Sequence, residues 1–204
     1  DPARWPIVRG SLADYHALGR FHYLGGPPAA HKRVYVIRRP RGPGSWAALA
    51  PHAAEPAAVL VVSPPLATVR GRNRATAGRY AGPDRAAALA LLNREVECIS
   101  RVVVHPVYRG CGLAVRLVRH ALATARAPLV EALAAMGAVH PFFELAGMTP
   151  HAVGPDRHVA RLKSAAEAVG YGFARATDTV LFHPDELLYV AIRDARALAE
   201  SGYA

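Results

Sequence analysis

Arg109, Gly110, Gly112 and Ala114 stand in the phrase HPVYRGCGLAVRLVRHAL, and their types and spacing suit an anion. Just upstream, CISRVVV (Cys98–Val104) has the β-branched composition of a buried strand. Downstream, Leu113, Leu117, Ala121 and Leu122 mark the apolar stripe of a helix, with Arg116, Arg119 and His120 off it. Glycines between a strand and a helix leave N–H groups free at the helix N-terminus, where the macrodipole adds partial positive charge. A nucleotide-hydrolysing P-loop requires G-x-x-x-x-G-K-S/T, and neither Lys nor Ser/Thr follows Gly112. A dinucleotide fingerprint requires a third glycine where Val115 stands. What remains is R-x-x-G-x-A, filled by Arg109, Gly112 and Ala114.

Other residues carry acid–base or binding chemistry. Glu97 and Glu131 lie in apolar sequence, where desolvation would raise a carboxyl pKa toward that of a useful base. The alternative for either is a salt bridge to one of the many arginines. Tyr23, Ser100 and His140 are candidate proton donors. The loop FHYLGGPPAAHKR groups His22, Tyr23, Lys32 and Arg33 with further aromatic and imidazole groups, a composition suited to a flat or anionic acceptor. Arg70, Arg72, Arg74 and Arg79 fall among Gly, Asn and Thr, which reads as a flexible basic loop able to grip phosphates, or as a merely solvated one.

These residues need elements to position them. A helix capped by Ser11 buries Leu12, Tyr15 and Leu18. Arg33–Arg39 and Ala57–Pro65 read as an antiparallel strand pair. Asp84 caps a helix to Arg94, followed by the strand, turn and helix above. Ala127–Met136 reads as a strand, although its alanines also allow a helix, and HPFFELAGM as a short helix with a glycine stop. Beyond them, a helix is expected over Asp156–Gly170, a strand over Ala176–His183, and a helix over Pro184–Gly202. The order predicts a mixed α/β domain with a central sheet flanked by helices, its core over 1–150 and a helical extension over 151–204 packed on the same domain.

The 204 residues, 52% of them hydrophobic, suit one substantial core. No apolar run reaches membrane-spanning length and no secretory leader is visible. Cys98 and Cys111 fall in a strand and the turn after it, a placement that predicts free thiols and a reducing cytoplasm. No Cys/His spacing matches a zinc module, so no metal is expected. The formal charge of +10 raises the odds of a polyanionic partner, although only Lys32 and Lys163 are lysine and the arginine and alanine skew also matches GC-rich coding.

The strand, the V-H-P-x-Y-R-G run, the R-x-x-G-x-A turn and the downstream PFFELAGM together resemble the GNAT acetyltransferase superfamily. The resemblance implies a GNAT fold and transfer of an acyl group from acetyl-CoA or another acyl-CoA to an amine. It places pyrophosphate on Arg109, Gly110, Cys111, Gly112, Leu113 and Ala114, and the pantetheine arm on the backbone of Arg101, Val102, Val103 and Val104. It places the base on Glu97 or Glu131. Many members carry a tyrosine where Phe143 stands, and a phenyl ring cannot donate a proton. A narrower likeness is to acetyltransferase-like domains associated with ABC-type ATPases, and by fold analogy to phage Mu-type enzymes that modify DNA adenine. The expected acceptor is then a nucleic-acid base. The rivals are a small amine or peptide acceptor and a non-catalytic nucleic-acid-binding module, in a monomer or homodimer.

Overall fold

The computed structural model describes residues 1–22, 26, 28, 30–40, 55–69, 71–135, 137, 139–153, 168 and 187–200. Seven strands form one sheet: β1 (Ile7–Arg9), β2 (Arg33–Arg38), β3 (Pro56–Ser63), β4 (Val96–Val104), β5 (Leu129–Ala134), β6 (Thr149–Ala152) and β7 (Leu187–Ile192). Their order across the sheet is β1-β2-β3-β4-β5-β7-β6. Every neighbouring pair is antiparallel except β4 and β5.

Strand alternation splits the apolar side chains between two faces. On one face Tyr15 and Leu18 of α1 (Leu12–Gly19) pack on Val34, Val59, Val61 and Val103. A capping box of Ser11 and Asp14 fixes the start of α1. On the other face Leu113, Leu117, Val118 and Ala121 of α4 (Leu113–Ala123) cover Tyr35, Ile37, Leu60, Val62 and Val130. Two further helices, α2 (Arg72–Ala75) and α3 (Arg85–Glu95), lie between β3 and β4 in the chain. Asp84 caps α3 by accepting from the N–H groups of Ala86 and Ala87 at 2.9 and 3.1 Å. The short α5 (Phe142–Leu145) follows β5, and α6 (Ala195–Glu200) follows β7.

The parallel pairing is short. Val96, Glu97 and Cys98 meet Leu129, Val130 and Glu131, and the register ends there. From Ile99 onward β4 stays with β3 while β5 continues with β7, so the two strands part. A bulge accompanies the parting: Val61 pairs with Arg101 and Val62 with Ile99, which leaves Ser100 as the extra residue.

The C-terminal expectation is corrected. The segment read as one helix over Pro184–Gly202 contains strand β7 and then α6. β7 sits between β5 and β6, so residues on both sides of position 150 complete the sheet. Leu188 and Tyr189 are fully buried by both neighbouring strands and the helices, a setting that overrides helical spacing. The helix expected over Asp156–Gly170 and the strand over Ala176–His183 lie outside the described residues, apart from Ala168. Among the described residues, no helix is long and apolar enough to cross a membrane.

The basic loop is also corrected. Arg72 is 3% exposed and its guanidinium grips both oxygens of Glu131 at 2.8 and 2.6 Å. Arg79 grips Glu95 at 2.7 and 3.0 Å. A third buried pair joins Arg33 to both oxygens of Glu97. Removing one partner of such a pair strands a charge and costs about 3–5 kcal/mol, whereas replacing both with apolar residues is far milder. Glu97→Ala should therefore destabilise urea unfolding by about that amount, and Arg33→Leu/Glu97→Leu should recover most of it. The Glu97 carboxyl is held below its ordinary pKa, since Arg33 outweighs the upward push of burial. Its contribution is complete above the unfolded carboxylate's pKa and is lost as pH falls through the lower folded value. The acid-side loss of stability should thus be smaller in the double variant.

Candidate active site

β4 ends at Val104, and His105 caps a 3₁₀ turn over Pro106–Tyr108. The His105 Nδ1 accepts from the Val107 N–H at 3.3 Å, and Tyr108 packs edge-on against Trp5 at 5.1 Å. Arg116 of α4 donates to the carbonyls of Pro2 and Trp5 at 3.1 and 2.7 Å. The start of the chain is thereby fastened beside the turn. Gly110 and Gly112 take left-handed φ of 80° and 73°, which glycine adopts without strain. A Cβ at either would meet no heavy atom within 4 Å, so both glycines border open space. Gly112 is the N-cap of α4 and no side chain caps that helix. Its first-turn N–H groups are left for an outside acceptor. The Arg109 Nε lies 3.4 Å from the Val104 carbonyl oxygen, which sets a full positive charge beside this turn.

The turn lies at the end of the exposed edge of β4. His105 N–H donates to Ala57 O on the β3 side at 2.9 Å. Alternation then turns the N–H groups of Arg101 and Val103 toward β3 and those of Val102 and Val104 toward the gap left by β5. Two carbonyls on the same edge have other partners: Arg101 Nη1 donates to Ser100 O at 2.7 Å, and Arg109 to Val104 O. A backbone edge that runs into an uncapped helix start can hold an extended amide-bearing chain and the anion at its end.

A model described as the acetyltransferase (GNAT) family matches residues 33–148. The chain belongs to this family. No curated protein matches it in sequence. Among solved structures it is similar to the crystal structure of nourseothricin acetyltransferase, at 15% identity over 91% of this chain and 95% of that one, with a TM-score of 0.41. Family membership makes the chain an acyltransferase, in a family that uses acyl-CoA donors and amine acceptors. The mixed seven-stranded sheet flanked by helices is the GNAT fold expected from the sequence.

Within this GNAT frame the two glutamates occupy the last parallel rungs. Glu97 is 2% exposed, takes both Arg33 bonds and accepts from the Arg126 N–H at 3.3 Å. Its pKa is lowered, opposite to the rise expected of a desolvated base, because a guanidinium shares its buried site. Glu131 is 1% exposed, with Arg72 on both oxygens. Salt bridging, the alternative left open for these carboxylates, describes both. Ser100 sits at the parting of the strands, 2.7 Å from Ser63 Oγ and 3.3 Å from Val61 O. Ser63 Oγ donates to Ala30 O at 2.7 Å, and Ser100 has both the Val61 carbonyl and Ser63 Oγ within reach of its own proton. The Ser100 proton is thus taken up within the fold.

The remaining candidates are spread out. Tyr23 and Arg70 lie outside the described residues. His140 is exposed just before α5, Arg74 is exposed on α2, and His22 is half-buried after α1. Lys32 is exposed and adjoins the buried Arg33. Phe143 is core, 5.0 Å from the Tyr189 ring. Tyr189, absent from the sequence candidates, donates toward Glu144 at 3.0 Å and Gly137 O at 3.1 Å. Burial and the neighbouring Glu144 push its phenol up to about 12. Its only sequence signal is the alternation in LLYVAI.

The two free thiols differ in setting. Cys98 is buried at the last parallel rung, where burial and then the Glu131 charge push its thiol up to about 12, while Cys111 is exposed on the turn. The thiolate is the reactive form. A thiol reagent at pH 8 should label Cys111 alone in the native protein and both cysteines in urea, as read by peptide mass spectrometry.

Proposed function

We propose that the chain is an acyl-CoA-dependent N-acyltransferase whose donor lies along the free edge of β4 with its pyrophosphate on the Arg109–Ala114 turn. The observation that carries this reading is the continuity of that edge with an uncapped, glycine-bordered helix start. The bound thioester supplies the activated acyl carbon. The chain contributes the Val102 and Val104 N–H groups along the edge, the α4 dipole and Arg109 against pyrophosphate charge, and Leu113 buried beneath the turn to hold it rigid.

The acceptor is a small amine in this reading. The nucleic-acid base expected from the basic loop loses support, because Arg72 and Arg79 are engaged inside the fold. Ser100 receives a hydrogen bond from the amine N–H, with its own proton directed to the Val61 carbonyl or Ser63. This orients the nitrogen without protonating it, as attack on a thioester requires.

Calorimetry should show acetyl-CoA binding at micromolar to millimolar strength. Gly112→Glu should weaken it at least about 100-fold with unchanged circular dichroism, since a carboxylate would meet the pyrophosphate at the helix start. Acetyl-CoA should also protect Cys111 from labelling. Persistence of tight binding in Gly112→Glu would place the donor elsewhere. With a screened amine acceptor, Ser100→Ala should lower kcat/KM about tenfold, and Ser100→Thr should retain more activity than Ala.

A further inference from the structure

A cavity of about 370 Å³ opens at the other end of α4 from the glycine turn, lined by Arg9, Lys32, Arg33, Arg94, Glu97 and Arg126. Arg126 follows the last turn of α4, whose 11 residues separate it from Gly112 by about 16 Å at 1.5 Å per residue. Arg33 and Glu97 stand at the starts of β2 and β4, away from the strand end that leads to the turn. The cavity is thus separate from the proposed donor site.

Its charge is one-sided. Five cations and one carboxylate line the cavity; Glu97 is already taken by Arg33, and Arg94 lies 3.7 Å from Glu95. The C-terminus of α4 adds about half a negative charge, which leaves a large positive excess. Lys32 and Arg126 have no ion-pair partner among the described residues. Arg9 is positioned by the Tyr35 ring, 5.6 Å from its guanidinium carbon. Beneath these cations lies a buried floor. Arg33 is 6% exposed, two of its nitrogens are fixed by Glu97, and its Nε is buried without a hydrogen-bond partner. Arg33 is thus a rigid charged floor beneath the exposed cations, held by Glu97, rather than a contact for a ligand.

We propose that this cavity is a second anion site, which takes a small phosphate-bearing ligand of two or more negative charges. Its concave form and buried arginine floor favour a compact ligand over the outer face of a polymer. A cavity rimmed by guanidinium groups suits tetrahedral oxyanions, whose several oxygens accept from different donors.

The test uses the full chain carrying Gly112→Glu, so that the turn does not compete. Pyrophosphate, ADP, inorganic phosphate and citrate are titrated by calorimetry, with a short DNA duplex in parallel. Pyrophosphate or ADP should bind, and Arg9→Ala/Arg126→Ala, two exposed positions, should weaken binding about 100-fold with unchanged melting temperature. Tighter binding of ADP than of pyrophosphate identifies a nucleotide-type ligand, and the reverse a free phosphate species. Citrate binding as well as pyrophosphate would overturn the phosphate assignment. Duplex binding tighter than either, lost in the double variant, would make the cavity part of a nucleic-acid surface and overturn the small-ligand assignment. Anion binding abolished by Gly112→Glu alone and unaffected by the double variant would overturn the site altogether.

Discussion

The parting of β4 and β5 after Cys98 and Glu131 is the constraint on which the rest depends. Parallel strands otherwise satisfy each other's backbone along their length, and a sheet that opens in its middle strands polar groups that folding must satisfy or expose. The opening is pinned on both faces. On the α4 face, Glu97 on the second rung is held by Arg33 from β2. On the α3 face, Glu131 on the third rung is held by Arg72 from α2. Each clamp crosses between strands or segments far apart in sequence, so each fixes where pairing stops. The Ser100 bulge then turns β4 away, and the hydroxyl pair with Ser63 ties the bulge back to β3.

Buried ion pairs are an expensive way to hold a strand end, because apolar replacements often give equal or greater stability. Their merit here is geometric. A bidentate guanidinium–carboxylate fork fixes direction as well as distance, and apolar packing at the apex would leave the rung free to extend by another pair. The sulfur of Cys98 lies in this same apex, and its raised pKa reflects the dryness that makes the clamps rigid.

The sequence was legible where chemistry is local. The strand into Arg109–Ala114, the glycine turn and α4 are set by neighbours a few residues apart, as is the Asp84 cap of α3. It was illegible where partners are remote. Arg33 meets Glu97 across 64 residues and Arg72 meets Glu131 across 59, and nothing in the composition around either glutamate chooses between a desolvated base and a clamped anion. LLYVAI failed for a related reason. Its apolar residues satisfy helical spacing as well as alternation, and only insertion between β5 and β6 makes it a strand. Tyr189 was lost with it, although it packs on Phe143 at the position where a proton-donating tyrosine was sought.

The net charge takes a different meaning once its residues are placed. Three arginines neutralise buried glutamates and so act as structure rather than as a field. The loop expected to grip phosphate spends two of its four arginines in this way. Positive charge instead gathers at both ends of α4, as Arg109 with free N–H groups at the start and as Arg9, Lys32, Arg94 and Arg126 around the cavity at the finish. α4 is fastened at each end, by Arg116 to the chain start and by Thr124 Oγ1 to Tyr35 at 2.8 Å, and Tyr35 in turn carries Arg9 on its ring. A helix held in this way keeps the two clusters at a fixed separation, so charge that appears diffuse in the composition is gathered into two patches.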